Sequence, residues 1–117
     1  MNDLLMTFYG DDFTGSTDAM ECLEINGIPT VLFLDPPTTE QLARFPAVRG
    51  VGIAGVSRTM SLQQMDRELI PKFTALRDLG APFVHYKVCS TFDSSPTVGS
   101  IGYAIDIGWD IFKPPMV

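Results

Sequence analysis

The chain has 117 residues, 45% of them hydrophobic and 19% charged, with a formal net charge of −6. That length holds one domain, the acidic balance argues against nucleic acid or an anionic membrane as partner, and no apolar run approaches the ~18 residues a bilayer span needs. Asp3 stands where a secretory leader would be basic, and Cys22 and Cys89 lie far apart outside any C-x-x-C pair, so both read as reduced thiols of a cytoplasmic protein; a single histidine excludes a multi-histidine metal site.

Leu4 to Tyr9 is a short apolar run that reads as a buried strand. Gly10-Asp11-Asp12-Phe13-Thr14-Gly15-Ser16-Thr17-Asp18 follows as a polar turn, with Thr14 or Ser16 placed to cap the helix that runs from Ala19 to Ile25 and stops at Asn26-Gly27. Adjacent carboxylates repel unless a cation, a Lys or Arg, or a shared proton relieves them. Pro29 to Leu34 is a second strand, and Thr38 to Arg44 a short helix with a threonine cap. Gly50 to Val56 is a third strand, rich in small residues that suit close backbone packing. Ser57-Arg58-Thr59 follows at its carboxyl end.

Ser61-Leu62-Gln63-Gln64 has the form of a capping box. Leu62, Met65, Leu69, Phe73 and Leu76 then recur at helical spacing, and Pro71 inside that pattern is expected to kink or interrupt the helix. Met60, Met65 and Phe73 read as core. Phe83 to Val88 is a fourth strand, in which His85 reads as a packing or hydrogen-bonding residue. Cys89 to Pro96 is a polar loop where Ser94 and Ser95 suit turns and caps, and Thr97 or Ser100 opens a last helix through Ile101, Ala104 and Ile105.

Alternation of continuous apolar strands with helices is the pattern of an α/β fold, a parallel sheet with helices on both faces, Rossmann-like and small enough here to look incomplete as a domain. In such a sheet the polar ends of the strands share one rim. Asp11 and Asp12 follow the first strand, Arg58 the third, and Lys87, Ser90, Thr91 and Asp93 the fourth. Arg58 supplies a planar fork suited to a carboxylate or phosphate, Lys87 a compact charge, and either aspartate a proton acceptor. Together they suit a small, polyhydroxylated, anionic ligand.

The segments Tyr9 to Asp18 and Tyr86 to Ser95, with Ser57-Arg58 between them, resemble the four-carbon acid sugar kinases, the family of D-threonate, D-erythronate and 3-oxo-tetronate kinases. The resemblance spans nearly the whole chain. It implies that residues 1–117 are part of an N-terminal domain that binds the acid sugar, with ATP and Mg2+ bound by a C-terminal domain that lies outside these residues. Carried over to this sequence, it implies Asp11 and Asp12 as the catalytic pair, one of them the general base toward the terminal hydroxyl. Thr14, Arg58, Lys87, Ser90, Thr91 and Asp93 are implied as substrate-binding residues. No phosphate-binding loop is present, since Gly99-Ser100-Ile101-Gly102 lacks the lysine and the spacing. The chain alone is therefore expected to bind substrate rather than to turn it over, with homo-oligomerisation left open.

Two other classes compete. A non-catalytic small-anion-binding module fits the same rim. A receiver-like phosphoacceptor domain also has paired acids after its first strand, but its phosphorylated Asp ends strand three, where Val56-Ser57-Arg58 stands here. A haloacid-dehalogenase-type phosphatase needs Asp-x-Asp-x-Thr, a spacing that Asp11-Asp12-Phe13-Thr14 does not have.

Overall fold

In the computed structural model, which describes residues 3–115, the apolar runs become strands because each finds a neighbouring strand to pair with in the sheet. The order is β1 (Met6–Gly10), α1 (Phe13–Ile25), β2 (Thr30–Phe33), α2 (Thr39–Ala43), β3 (Gly50–Ala54), a 3-10 turn (Ser57–Thr59), α3 (Leu62–Asp78), β4 (Phe83–Lys87) and α4 (Ile101–Phe112). All strand pairs are parallel, in the order β2-β3-β1-β4. The α/β reading is thus correct. The receiver-like alternative is not, because that fold places its first strand between the second and third, whereas here β3 lies between β2 and β1.

Alternation of side chains across the pleat assigns the two layers. Tyr9, Ile53 and Tyr86 point to one face and join Met65, Leu69, Phe73 and Leu76 of α3 and Ala104 and Ile107 of α4 in the main core. The Tyr9 and Tyr86 rings stack at 5.7 Å, and Phe73 meets both edge-on. On the other face α1 comes very close to β1: a methyl on Gly10 would collide with Ser16 of the helix. Phe8 lies flat over Gly52 of the neighbouring strand, where no side chain would fit.

Three local expectations change. Helix α1 begins at Phe13, so Phe13 to Asp18 are helical and the β1–α1 connection shrinks to Asp11 and Asp12; Asp12, not Thr14 or Ser16, is the cap. The small polar residues there serve close approach of the helix to β1 and β4 rather than a turn. Pro71 does not interrupt α3, which runs unbroken from Leu62 to Asp78; it sits on the exposed side, where water can take the carbonyl that a proline leaves unbonded. Strand β3 ends at Ala54 rather than Val56.

Elsewhere the local reading holds. Ser61 and Gln64 form the reciprocal cap of α3, Thr38 and Gln41 that of α2, and Ser100 caps α4. The Ser94 hydroxyl accepts from the Ile101 amide and the Ser95 hydroxyl from the Val98 amide. His85 is exposed on the edge strand β4 rather than packed, because α1 crosses toward β2 and leaves that part of the sheet bare. Both cysteines are free thiols, Cys22 exposed and Cys89 buried. No described helix is long and apolar enough to cross a membrane.

Candidate functional site

Asp11 is the knot of the rim. Its amide donates to the Lys87 carbonyl at 3.0 Å, and its own carbonyl accepts from the Arg58 amide at 3.3 Å. The Cys89 amide lies on the carboxylate's side and favours its ionised form. One residue thereby ties the ends of β1 and β4 to the turn after β3. Its side chain is 1% exposed and its Oδ1 has no hydrogen-bond partner among the described residues. Burial first, then the neighbouring Asp12 carboxylate, push its pKa above the ordinary aspartate value.

Asp12 does something different. Its Oδ1 accepts from the Gly15 amide at 2.8 Å, capping α1, and its Oδ2 lies 3.4 Å from Arg58 Nη1. Arg58 also faces Asp93 at 3.9 Å, at the start of the segment that leads to α4. Lys87 Nζ donates to the Val88 carbonyl at 2.8 Å and reaches across the first turn of α1. Gly15 lies against it: a methyl there would press into Asp12 Oδ1, while Lys87 Cγ and Nζ would stand at an ordinary contact distance of 3.6 Å. The structure therefore brings Asp12, Arg58, Lys87 and Asp93 together on one surface above the buried Asp11.

The remaining expected residues lie around this group. Thr91 approaches it through Cys89, whose Sγ is 3.3 Å from the Thr91 hydroxyl. Thr14 is exposed on the first turn of α1 and Ser90 is exposed in the loop; neither side chain has a hydrogen bond to the cluster among the described residues.

Three contributors escape the sequence reading. Cys89 is 2% exposed; the Thr91 hydroxyl, then the Asp93 amide and Arg58, lower its thiol pKa against the opposing effect of burial. Ser57, fully buried, hydrogen-bonds the Tyr86 hydroxyl at 2.6 Å and so pins the turn that carries Arg58 to β4. Tyr86 is itself pushed up to about 12, mainly by burial. Their positions next to strand ends are the only signal the sequence carries for them.

Chemically, the surface offers a guanidinium and an ammonium for a carboxylate or phosphate, and carboxylate oxygens for hydroxyls. The described residues contain no group of three or more His, Cys, Asp or Glu placed to hold a metal ion. Gly99, at φ 57°, is packed where a side chain would strike the Arg58 carbonyl, and Ser100 is committed to capping α4. A shallow depression of about 480 Å³ beside α3 and a cavity of about 600 Å³ between β4 and α4 are lined by none of Asp11, Asp12, Arg58 and Lys87; within the cluster Arg58 is partly exposed and Asp93 largely so.

The chain is 65% identical over 105 residues to the 3-oxo-isoapionate kinase of Paraburkholderia graminis, covering 90% of this chain and 22% of that protein. It is 32% identical over 112 residues to the 3-oxo-tetronate kinase of Salmonella typhimurium, covering 91% and 26%. The chain thus spans about a quarter of the length of the curated relatives it matches. A crystal structure from Salmonella typhimurium LT2, provisionally named a tRNA synthase, superposes with a TM-score of 0.80 at 31% identity over 93% of this chain and 26% of that one. The family model described as "Sugar-binding N-terminal domain" matches residues 6–117. With the parallel sheet and the polar rim at its carboxyl edge, this match identifies the chain as a member of the sugar-binding N-terminal domain family.

Proposed function

We propose that the rim formed by Asp12, Arg58, Lys87 and Asp93 binds a small acid sugar as the substrate half of an ATP-dependent kinase of the four-carbon acid sugar class. The observation that carries this reading is the convergence, from three separate strand ends, of two cations and two carboxylates on one open surface. Arg58 and Lys87 hold the substrate carboxylate. Asp12 accepts a hydrogen bond from a substrate hydroxyl, and it is the member of the adjacent pair that faces outward. Asp11, buried beneath it, keeps Arg58 and Lys87 in place. Thr14, Ser90 and Thr91 border the surface and are available to further hydroxyls.

In the complete enzyme ATP, which would supply the phosphoryl group, and Mg2+, which would neutralise its charge, belong to a separate domain; positioning of both substrates is most of what phosphoryl transfer requires. This chain's share is to hold the acid sugar with its terminal hydroxyl presented, and to withdraw the hydroxyl proton toward Asp12. The names of the relatives make 3-oxo-isoapionate and 3-oxo-tetronate the first ligands to try, with D-threonate and D-erythronate beside them.

The test is thermal stabilisation of the folded chain by each acid at millimolar concentration, followed by calorimetric titration. At least one acid should raise the melting temperature. Replacement of Arg58 by Ala should weaken its binding on the order of tenfold or more, as expected on losing a charge-assisted hydrogen bond. A folded protein that none of the four acids stabilises would remove the proposal.

A further inference from the structure

Beneath the rim lies a row of hydroxyls set into the core. Tyr9 is 1% exposed, Ser57 is fully buried and Tyr86 is partly buried. Tyr9 and Tyr86 are register partners on β1 and β4, and their rings stack within 3° of parallel. The Ser57 hydroxyl is 2.6 Å from that of Tyr86. It also stands beside the Tyr9 hydroxyl, close enough to act on its ionisation. The Tyr9 hydroxyl donates to Glu68 Oε2 of α3 at 2.8 Å. It lies hard against the backbone as well, since a side chain on Gly55, between β3 and the 3-10 turn, would strike it.

Each hydroxyl comes from a different strand end, and each stands just before a rim residue. Gly10 alone separates Tyr9 from Asp11, Ser57 directly precedes Arg58, and Tyr86 directly precedes Lys87. Whatever holds the three hydroxyls together therefore holds the three branches of the rim in register.

The protons decide what that is. A row of three hydroxyls carries three protons but absorbs only two within itself, one across each join. The third needs an acceptor outside the row, and a buried donor left without one is costly. Glu68 is that acceptor. An ionised carboxylate only accepts, so the Tyr9 proton points to Glu68, the Tyr9 oxygen takes the Ser57 proton, and the Ser57 oxygen takes the Tyr86 proton. One carboxylate sets the direction of the whole row. Glu68 is fixed in turn by Lys72, whose Nζ donates to the same Oε2 at 2.8 Å and reaches on to Asp35 and the Leu34 carbonyl.

We propose that Glu68, on α3 and outside the rim, is a positioning residue for it: through the hydroxyls of Tyr9, Ser57 and Tyr86 it fixes the backbone that carries Arg58 and Lys87. Its consequence for binding rests on the reading of the rim as an acid-sugar site; its consequence for the backbone does not. Without Glu68 the row holds one proton too many. The turn that carries Ser57 then parts from the tyrosines, and Arg58 loses its fixed place beside Asp12.

Three variants of the 117-residue chain test this. Glu68→Met removes the acceptor at similar volume. Tyr9→Phe removes the hydroxyl and leaves the Glu68–Lys72 pair intact. Glu68→Gln keeps an acceptor oxygen without the charge. Amide exchange reads the backbone at Arg58, whose amide donates to the Asp11 carbonyl, against Ile53 in the enclosed strand β3. In Glu68→Met and Tyr9→Phe, exchange at Arg58 should quicken about tenfold or more relative to Ile53. Affinity for whichever of the four acids binds the parent should fall by a similar factor, and Glu68→Gln should restore both. A merely structural role would quicken Arg58 and Ile53 together, and that outcome overturns the proposal. So does parent-like exchange at Arg58 in folded Glu68→Met and Tyr9→Phe, an acid bound as tightly by both as by the parent, or a Glu68→Gln that behaves as Glu68→Met. If Arg58 responds as expected while no acid binds the parent, the coupling of Glu68 to Arg58 is upheld and the acid-sugar reading of the rim falls.

Discussion

β3 and β4 flank β1 in the same manner, each with five residues in parallel register against it, yet their surroundings are opposite. All five residues of β3 are buried, whereas Phe83, Val84 and His85 of β4 are exposed. Backbone pairing sets the geometry of a strand, while the helices decide its burial. α1 runs across β1 and β3 toward β2, and α3 covers the other face, so β3 is enclosed and β4 is sheltered only near its carboxyl end. The candidate site lies on the boundary between these regions. Asp11 and Arg58 are anchored on the enclosed side, and Lys87 reaches in from the exposed one.

The sharpest way to break that contrast is a matched pair of truncations. Ile53→Ala, at a fully buried position, should cost about 2–5 kcal/mol. Val84→Ala, at a position 42% exposed, should stay within roughly 0.5 kcal/mol. Urea denaturation of both variants measures the difference. Similar losses would mean that β4 is as well covered as β3 and that the bare edge does not persist in solution.

A smaller effect separates the roles of Asp12. As the cap of α1 it is worth about 0.5–2 kcal/mol, so Asp12→Ala should lose stability of that size along with acid-sugar binding. Asparagine caps nearly as well but carries no charge. Asp12→Asn should therefore keep most of the stability while still losing affinity. If Asp12→Asn binds as the parent does, the carboxylate is structural and the hydroxyl acceptor must be sought elsewhere on the rim.

Much of this architecture is legible in the residues alone. The capping boxes at Thr38 and Ser61, the apolar stripe of α3 and the four strands are local patterns, and local patterns survive folding. The start of α1 is not legible, because Thr14, Gly15, Ser16 and Thr17 carry turn-like propensities. Ser16 is there for a tertiary reason, packed against Gly10 at the end of β1, whereas Gly15 leaves room for the Asp12 carboxylate that caps the helix. The exposure of His85 and the burial of Cys89 depend on which strand becomes the edge and how the following loop folds back, which no window of sequence contains. For the site, the strand-end rule brought Asp12, Arg58, Lys87 and Asp93 together, but it did not distinguish the buried aspartate from the outward one.

That distinction has its own measurable consequence, smaller than the others and carried by pH. The folded pKa of Asp11 is raised above the ordinary 3.8, first by burial and then by Asp12. Between the ordinary value and the raised one, the folded chain binds a proton at this site more tightly than the unfolded chain does. The contribution to stability is therefore full below the ordinary value and is lost as pH climbs through the folded pKa. Asparagine at position 11 keeps the shape of the side chain but cannot ionise. The melting temperature of Asp11→Asn minus that of the parent should accordingly rise as pH is raised from the acid side, then level off once Asp11 is ionised in both states. A difference that stays flat across that range would show that Asp11 titrates as it does in the unfolded chain. It would then have to be accessible to water, and its assignment as the buried tie between Arg58 and Lys87 would fail.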